Sequence, residues 1–332
     1  MIIGLVVLVV AAQPAIDSEA LIRIVDTGPG LMCLIRVPHG SAYKYAIYDA
    51  GNRQKAAVVL REKLDEFIPE GSTIELLVLS HSDADHVGMV PEIFDDYYVK
   101  RVIRPGISRE TDTWNNAIAA IEDEAQCQDI NIAEDDVAVG RRFMVGSATL
   151  RYVCGFSEPP DDDYWDLRNE SERNNAGSIV MRMIYKGRSI LFTGDAVGRH
   201  ADDPDPYALI ATERFAIDQI PILPIHSKVL LAPHHGADNG SSMPFIAEVD
   251  PDYVVFSAGH QHHHPRQAAV DRYLEFGVPV AQMFRTDRGD DEGLPEWLHD
   301  AISGTSDAPG DDDIDITISS SSVLKVRYRG ED

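Results

Sequence analysis

His81-Ser82-Asp83-Ala84-Asp85-His86 places four side chains with metal-ligating atoms inside six residues, directly after Ile74-Glu75-Leu76-Leu77-Val78-Leu79-Ser80. That preceding run is short and rich in branched apolar residues, which reads as a buried strand. Ligands at the carboxyl end of such a strand face a crevice. Downstream, Val87-Gly88-Met89-Val90-Pro91-Glu92-Ile93-Phe94 has apolar residues at helical spacing, so the polar cluster sits at a strand-loop-helix junction. In an extended loop alternate residues point the same way, and the adjacent Asp85-His86 pair can turn towards a second ion. Two ions in such a site sit about 3.5–4 Å apart and share a hydroxide. On these six residues alone, a second reading stays open: loop histidines with turn-forming aspartates.

Three later segments have the same design, a strand that ends in a ligand. Ser189-Ile190-Leu191-Phe192-Thr193-Gly194-Asp195 stops at a carboxylate, and Gly194 permits close approach of the backbone. Lys228-Val229-Leu230-Leu231-Ala232-Pro233 delivers His234-His235-Gly236. Tyr253-Val254-Val255-Phe256-Ser257-Ala258-Gly259 leads into His260-Gln261-His262-His263-His264-Pro265. Of the 12 histidines, eight fall in 81–86, 234–235 and 260–264, a clustering that favours a metal centre over scattered loop residues.

Taken in order, these motifs resemble the metallo-β-lactamase fold hydrolases, and within them the soluble domain of ComEC-type competence proteins and their standalone relatives. The resemblance runs through most of the chain. Leu21-Ile22-Arg23-Ile24-Val25-Asp26-Thr27-Gly28-Pro29-Gly30 is similar to the opening strand and turn, and Asp49-Ala50-Gly51 to the D-x-G segment. The metal motif has the ComEC-type H-x-D-x-D-H form. Asn175-Ala176-Gly177-Ser178 resembles N-x-x-S, Thr193-Gly194-Asp195 resembles T-G-D, and Pro233-His234-His235-Gly236 resembles the H-H-G element. Ser257-Ala258-Gly259, His264-Pro265 and Arg285-Thr286-Asp287-Arg288 resemble the closing elements. Leu31 and Ala237 depart from the pattern, standing where an acidic residue and a serine are usual.

The resemblance implies an α/β fold, a four-layer αβ/βα sandwich of two mixed sheets packed face to face with helices outside. It also implies two divalent metal ions, Zn or Mn. His81, Asp83 and His234 would hold one, Asp85, His86 and His264 the other, and Asp195 would bridge them. His234 is preferred to His235 on the family pattern alone. Asp83 in place of the commoner histidine hardens the site and makes Mn²⁺ a rival to Zn²⁺. A hydroxide between the ions would attack phosphorus or a carbonyl centre, with Asp85 as the catalytic residue that orients it. Asn175, His235, Arg266 and Arg285 are the expected contacts to substrate or to the ligands. His260, His262 and His263 have a second reading as a solvated loop.

Composition sets outer limits. The 332 residues suit one large domain over about 20–332, with halves at about 20–170 and 174–332 and an acidic, aromatic bridge between them. Asp161-Asp162-Asp163 and Asp311-Asp312-Asp313 read as solvated loops, residues 207–220 as a helix in a proline-rich connection, and Ile314-Asp315-Ile316-Thr317-Ile318 with Val323-Leu324-Lys325-Val326-Arg327-Tyr328 as a closing hairpin. Cys33, Cys127 and Cys154 lack C-x-x-C spacing and read as reduced residues. Residues 1–12 are continuously apolar, yet no Lys or Arg precedes them and the run is too short to span a bilayer. Cytoplasmic location is the favoured reading, with export the alternative if residues 1–15 are a signal peptide; an extra buried strand and a misplaced start also fit. Nothing else is long enough to form a membrane channel.

The formal charge of −26, from 29 basic and 55 acidic residues, repels a polyanion. A nucleic-acid substrate would therefore need a local basic patch. Candidates are Lys100-Arg101 with Arg104, Arg141-Arg142, and Arg266 with Arg285 and Arg288, the last being favoured for its place beside the final histidines. Neither a G-x-S-x-G elbow nor a phosphate-binding glycine loop occurs, which disfavours serine hydrolases and nucleotide-dependent enzymes. The leading expectation is a metal-dependent phosphodiesterase or nuclease. Hydrolysis of a small ester, lactone or amide is the alternative, and a non-catalytic metal-bearing binding module the third.

Overall fold

The computed structural model describes residues 19–158, 160, 163–299 and 308–331. The apolar run at residues 1–12 and the pair Asp161-Asp162 lie outside them. Among the described residues the first sheet begins with β1 (Ala20–Ile24), β2 (Met32–His39), β3 (Ala42–Ala50), β4 (Thr73–Val78), β5 (Tyr98–Val99), β6 (Arg101–Arg104) and β7 (Gln128–Asn131). The second comprises β8 (Arg142–Val145), β9 (Ala148–Cys154), β10 (Val180–Tyr185), β11 (Arg188–Phe192), β12 (Val229–Leu231), β13 (Tyr253–Phe256) and β14 (Met283–Arg285). The chain then returns to the first sheet with β15 (Ile314–Ile318) and β16 (Leu324–Tyr328), the antiparallel hairpin expected from the sequence.

Both sheets are mixed. The first runs β16-β15-β1-β2-β3-β4-β6-β7, with β5 also paired to β4, and is parallel from β3 onwards. The second runs β14-β13-β12-β11-β10-β9-β8 and is parallel from β11 to β14. The sheets therefore change over between Asn131 and Arg142, not near residue 170, and the first sheet is completed by the end of the chain.

Strand alternation makes the layers. Ile22, Ile35, Tyr48, Leu76 and Val78 from the first sheet share one buried cluster with Met181, Phe192, Val229, Leu231 and Val255 from the second. The other face of the first sheet, with Leu34, Ile47 and Leu77, packs on α1 (Arg53–Phe67), α3 (Val90–Asp96) and α4 (Asp112–Asp123), α2 being the single turn Ala84–Val87. The outer face of the second sheet, with Leu191, Leu230 and Val254, packs on α6 (Ala211–Asp218), α7 (Met243–Val249) and α8 (Gln267–Phe276), which follow α5 (Glu170–Ala176). This is the expected four-layer sandwich.

The helix read at 207–220 is shorter in the fold. Asp205 turns the chain by accepting from the Tyr207 amide through its side chain and from the Ala208 amide through its carbonyl. Extended Ile210 then precedes the first turn at Ala211. At the far end Pro221 disfavours helical geometry at Ile220. No helix among the described residues is long and apolar enough to cross a membrane.

Close to the parallel strand ends the sheets are tied through the Ile179 backbone: Tyr48 donates its hydroxyl to the Ile179 carbonyl at 2.7 Å, and the Ile179 amide donates to the Ser80 carbonyl at 2.8 Å. Phe192 stacks on Tyr48 with centroids 5.1 Å apart, filling the space between the sheets under this seam. Phe192→Ala is expected to cost about 3–5 kcal/mol of unfolding free energy in a denaturant titration; a loss below about 1 kcal/mol would mean the inter-sheet core is not closed there.

Candidate metal centre

The loops leaving β4, β11, β12 and β13 converge at one end of the sandwich. After β4, Ser80 is gripped by Asp49, a fully buried carboxylate at the end of β3. Asp49 accepts from the Ser80 amide at 2.6 Å, from its hydroxyl at 2.7 Å and from His86 Nδ1 at 2.8 Å. Extended Asp83 then precedes α2, so that Asp85 and His86 fall within that single turn. Gly194, with φ near +52°, brings the β11 exit against this loop; a Cβ there would lie 2.6 Å from the Ser80 Cβ. Asp195 follows at once.

The next pair is delivered by an unusual backbone. His234 and His235 both have positive φ, 49° and 57°, in the short turn after β12. The turn is held by the His234 amide donating to Gly194 at 3.0 Å. Both imidazoles consequently reach the same cleft.

Hydrogen bonds on the far side of each ring fix which nitrogen is free. His86 donates Nδ1–H to Asp49, and His235 donates Nδ1–H to the Ser257 carbonyl at 2.6 Å. His234 Nδ1 lies 2.7 Å from Asn239 Oδ1, which can only accept. The Ser80 hydroxyl is spent on Asp49 and so accepts from His81 Nδ1 at 3.0 Å. All four rings thus present an Nε2 lone pair inward.

Asp195 lies between them. Its Oδ2 is 3.7 Å from His81 Nε2 and 3.5 Å from His234 Nε2, while its Oδ1 is 3.2 Å from His86 Nε2 and 3.4 Å from His235 Nε2. Asp83 Oδ2 adds a third donor beside His81 at 3.7 Å, and Asp85 Oδ2 one beside His86 and His235 at 3.9 and 3.7 Å. Bonds of about 2.1 Å in a tetrahedral site give donor separations of about 3.4 Å. The spacing fits.

Electrostatics point the same way. His81 Nε2 and Asp195 Oδ1 are each buried without a hydrogen-bond partner, an arrangement that costs free energy unless a cation satisfies them. His86 and His235 Nε2 face each other at 3.1 Å, so something positive, a proton or a metal ion, must separate the lone pairs. Burial alone would lower the His86 pKa, but Asp195, Asp49 and Asp85 drive it well above its usual value. Burial would likewise raise Asp195, yet His235, His86, His234 and His81 hold it well below the carboxylate range. A pocket that draws in a proton this strongly is a pocket for a cation.

The cleft above has a volume of about 380 Å³ and is lined by Asp83, Asp85, Asn175, Asp195, both histidines of the 234–235 pair, His264 and Arg266. Asp85 is one-third exposed to it. Asn175 Nδ2 lies 3.3 Å from His234 Nε2.

Two of the expected site residues stand apart from the donor sets in this geometry. His264 lies outside both donor sets: its ring stacks on His235 at 6.0 Å, and it is His235 that approaches Asp85, His86 and Asp195. Burial, then His234 and His235, push the His264 pKa well below its usual value, so it is a neutral imidazole in the cleft wall. Arg285 is not at the cleft. It is fully buried, with Nε and Nη2 on Asp287 at 2.7 and 2.8 Å and further bonds to Glu296 and the Trp297 carbonyl. Among the other histidines, His260 faces Asp290 and His263 faces Glu292.

The sequence reading missed the residues that aim the ligands. Asp49 and Asn239 are described above. Asn174 bridges Ser82 and Asp83, accepting at 2.7 Å and donating at 2.8 Å, so that Asp83 Oδ1 is occupied and Oδ2 turns towards His81. Arg109 stands 3.5 Å from the same Asp83 oxygen. Only Asp49 carried a signal, its place in the D-x-G segment. Asp49→Asn is expected to release bound metal about 10- to 100-fold more readily, read as metal retained per chain after dialysis; retention equal to the unaltered chain would show that Asp49 does not set the His86 ring.

Comparison with known proteins adds the following. No family model matches the chain. It is 25% identical to ComE operon protein 3 of Bacillus subtilis (strain 168) over 321 residues, covering 92% of this chain and 36% of that protein. It is 24% identical to Competence protein ComA of Neisseria gonorrhoeae over 273 residues, covering 82% of this chain and 31% of that one. The chain thus spans about a third of the length of the curated relatives it matches. Among solved structures, the metallo-β-lactamase fold protein YhfI from Bacillus subtilis aligns over 81% of this chain and 97% of its own, with TM-score 0.47 and 11% identity. CmlA, a diiron β-hydroxylase from Streptomyces venezuelae, aligns over 82% of this chain and 53% of its own, with TM-score 0.43 and 15% identity. In sequence the chain is similar to ComEC-type competence proteins, and solved metallo-β-lactamase fold proteins align over much of its length.

Proposed function

We propose that this chain is a hydrolase with a two-metal centre that acts on phosphodiesters. The observation that carries the metal half is the set of four inward Nε2 lone pairs around the two oxygens of buried Asp195. His81, Asp83, His234 and Asp195 Oδ2 would hold one divalent ion; His86, Asp85, His235 and Asp195 Oδ1 would hold the other. The carboxylate-rich donor set suits Mn²⁺ as well as Zn²⁺. When bound, such a pair of cations supplies hydroxide at neutral pH and stabilises the charge that develops on the attacked centre.

The remaining work falls to the cleft. Arg266 and Asn175 both line it, offering a cation and an amide to the oxygens of an anionic ester. His264, neutral through burial, adds a hydrogen-bonding ring without adding charge. Asp85, the most exposed carboxylate of the donor sets, can hold a proton-bearing oxygen at the cleft floor. The similarity to competence proteins is consistent with a nucleic-acid phosphodiester.

A specific observation favours a second reading, hydrolysis of a small ester, lactone or amide. Half of the basic residues offered for a nucleic-acid patch are already neutralised: Lys100 pairs with Glu75, Arg104 with Asp129, and Arg288 with Asp312 and Glu331, while Arg285 is buried among Asp287 and Glu296. With a net charge of −26, long-range attraction for a polyanion is missing.

Assay of metal-stripped protein on bis(p-nitrophenyl) phosphate and linear DNA, with Mn²⁺ or Zn²⁺ restored, decides between them. Turnover should return with metal and fall about 10²- to 10⁴-fold in Asp85→Ala. Turnover of p-nitrophenyl acetate or a lactone, with both phosphodiesters inert, would replace the phosphodiester reading by the second.

A further inference from the structure

The loop at residues 238–242 is held from three sides, and none of the holding residues belongs to the donor sets. From α6, fully buried Glu213 accepts from the Ser241 amide at 2.6 Å through one oxygen, and from the Ser242 amide at 2.9 Å and hydroxyl at 2.5 Å through the other. From α8, Arg272 donates to the Ser241 carbonyl at 2.7 Å and to Gly240 at 2.9 Å. From the β11 exit, the Gly198 and Arg199 amides donate to the Asn239 carbonyl at 2.9 and 3.1 Å.

We infer that Glu213 and Arg272 are positioning residues for His234, acting through Asn239. The inference rests on the two-ion reading above. Its geometry is a short relay: Glu213 and Arg272 fix residues 240–242 directly after Asn239, Asn239 Oδ1 takes Nδ1–H of His234, and the His234 lone pair is thereby aimed at the Asp195 Oδ2 side of the cleft. The Glu213 carboxylate also presses on the segment that leaves Asp195. Its amide donates to Val197 at 3.1 Å, and a Cβ on Gly198 would fall 1.9 Å from its Oε2. The same residue thus braces the chain after β11 as well as the loop that carries Asn239.

The backbone records the same constraint. Ala211, at the start of α6, and Ser241, in the clamped loop, both have positive φ, 48° and 60°. Such conformations persist in residues with a Cβ only where the surroundings over-determine them. A plain packing contact between α6 and α8 would not require acceptors aimed at two successive amides.

The test is calorimetric titration of the metal-stripped chain with Zn²⁺ and separately with Mn²⁺. Glu213→Gln keeps the volume but turns an NH₂ group towards an amide that needs an acceptor. Of two binding events in the unaltered chain, the one lost in His234→Ala should weaken about 10- to 100-fold, and the other should stay within about twofold. Asn239→Ala leaves the clamp whole and cuts only its link to the ring, so it must reproduce the selective loss, and it decides the matter if Glu213→Gln does not fold. Either folded variant binding both ions as the unaltered chain does, or losing both equally, overturns the inference. Fewer than two binding events in the unaltered chain would instead bring down the two-ion reading itself, and this inference with it.

Discussion

The structure depends on a buried carboxylate, Asp195, set where four imidazole lone pairs meet at the seam between two sheets. An isolated carboxylate in that position would be expensive to bury. Here a cation in the cleft would offset it, and each surrounding ring has its Nδ1 engaged on the outward side so that Nε2 faces that position. The fold's contribution is to deliver these groups from separate strands. β4, β12 and β13 run parallel to their neighbours and β11 runs parallel to β12, so their exits form one crevice.

What gives the centre its precision lies outside the donor sets. Asp49, Asn174, Asn239 and the Ser257 carbonyl each occupy the outward atom of a ligand, leaving the inward atom as its remaining choice. This is how a neutral imidazole is held in a single tautomer and a carboxylate in a single orientation. The cleft that opens over the donors is polar and modest in volume, which suits a single reacting group held against the floor. It offers little to an extended polyanion beyond Arg266 and its neighbours.

Much of this could be read from the sequence because the decisive donors are contiguous. His81, Asp83, Asp85 and His86 share one loop, and a strand of branched apolar residues announces it. Asp195 was legible for the same reason. The choice between His234 and His235 was not, since neighbouring residues in extended chain point to opposite sides. Two successive positive φ angles defeat that rule and bring both rings inward. Arg285 was misplaced because sequence displays charge and hides burial: its partners Asp287 and Glu296 convert a candidate surface patch into an internal ion network. The orienting residues escaped notice because each lies far along the chain from the ligand it holds, as with Asp49 and His86. The sheet boundary was missed because β8 and β9 have no sequence feature that assigns them to one sheet or the other.

Anomalous diffraction from crystals grown with Mn²⁺ or Zn²⁺ tests the central claim most directly. The account predicts two peaks about 3.5–4 Å apart, one on each side of Asp195, with His81 and His234 on the first and His86 and His235 on the second. A single peak, or a second ion ligated by His264 with His235 turned away, would contradict it.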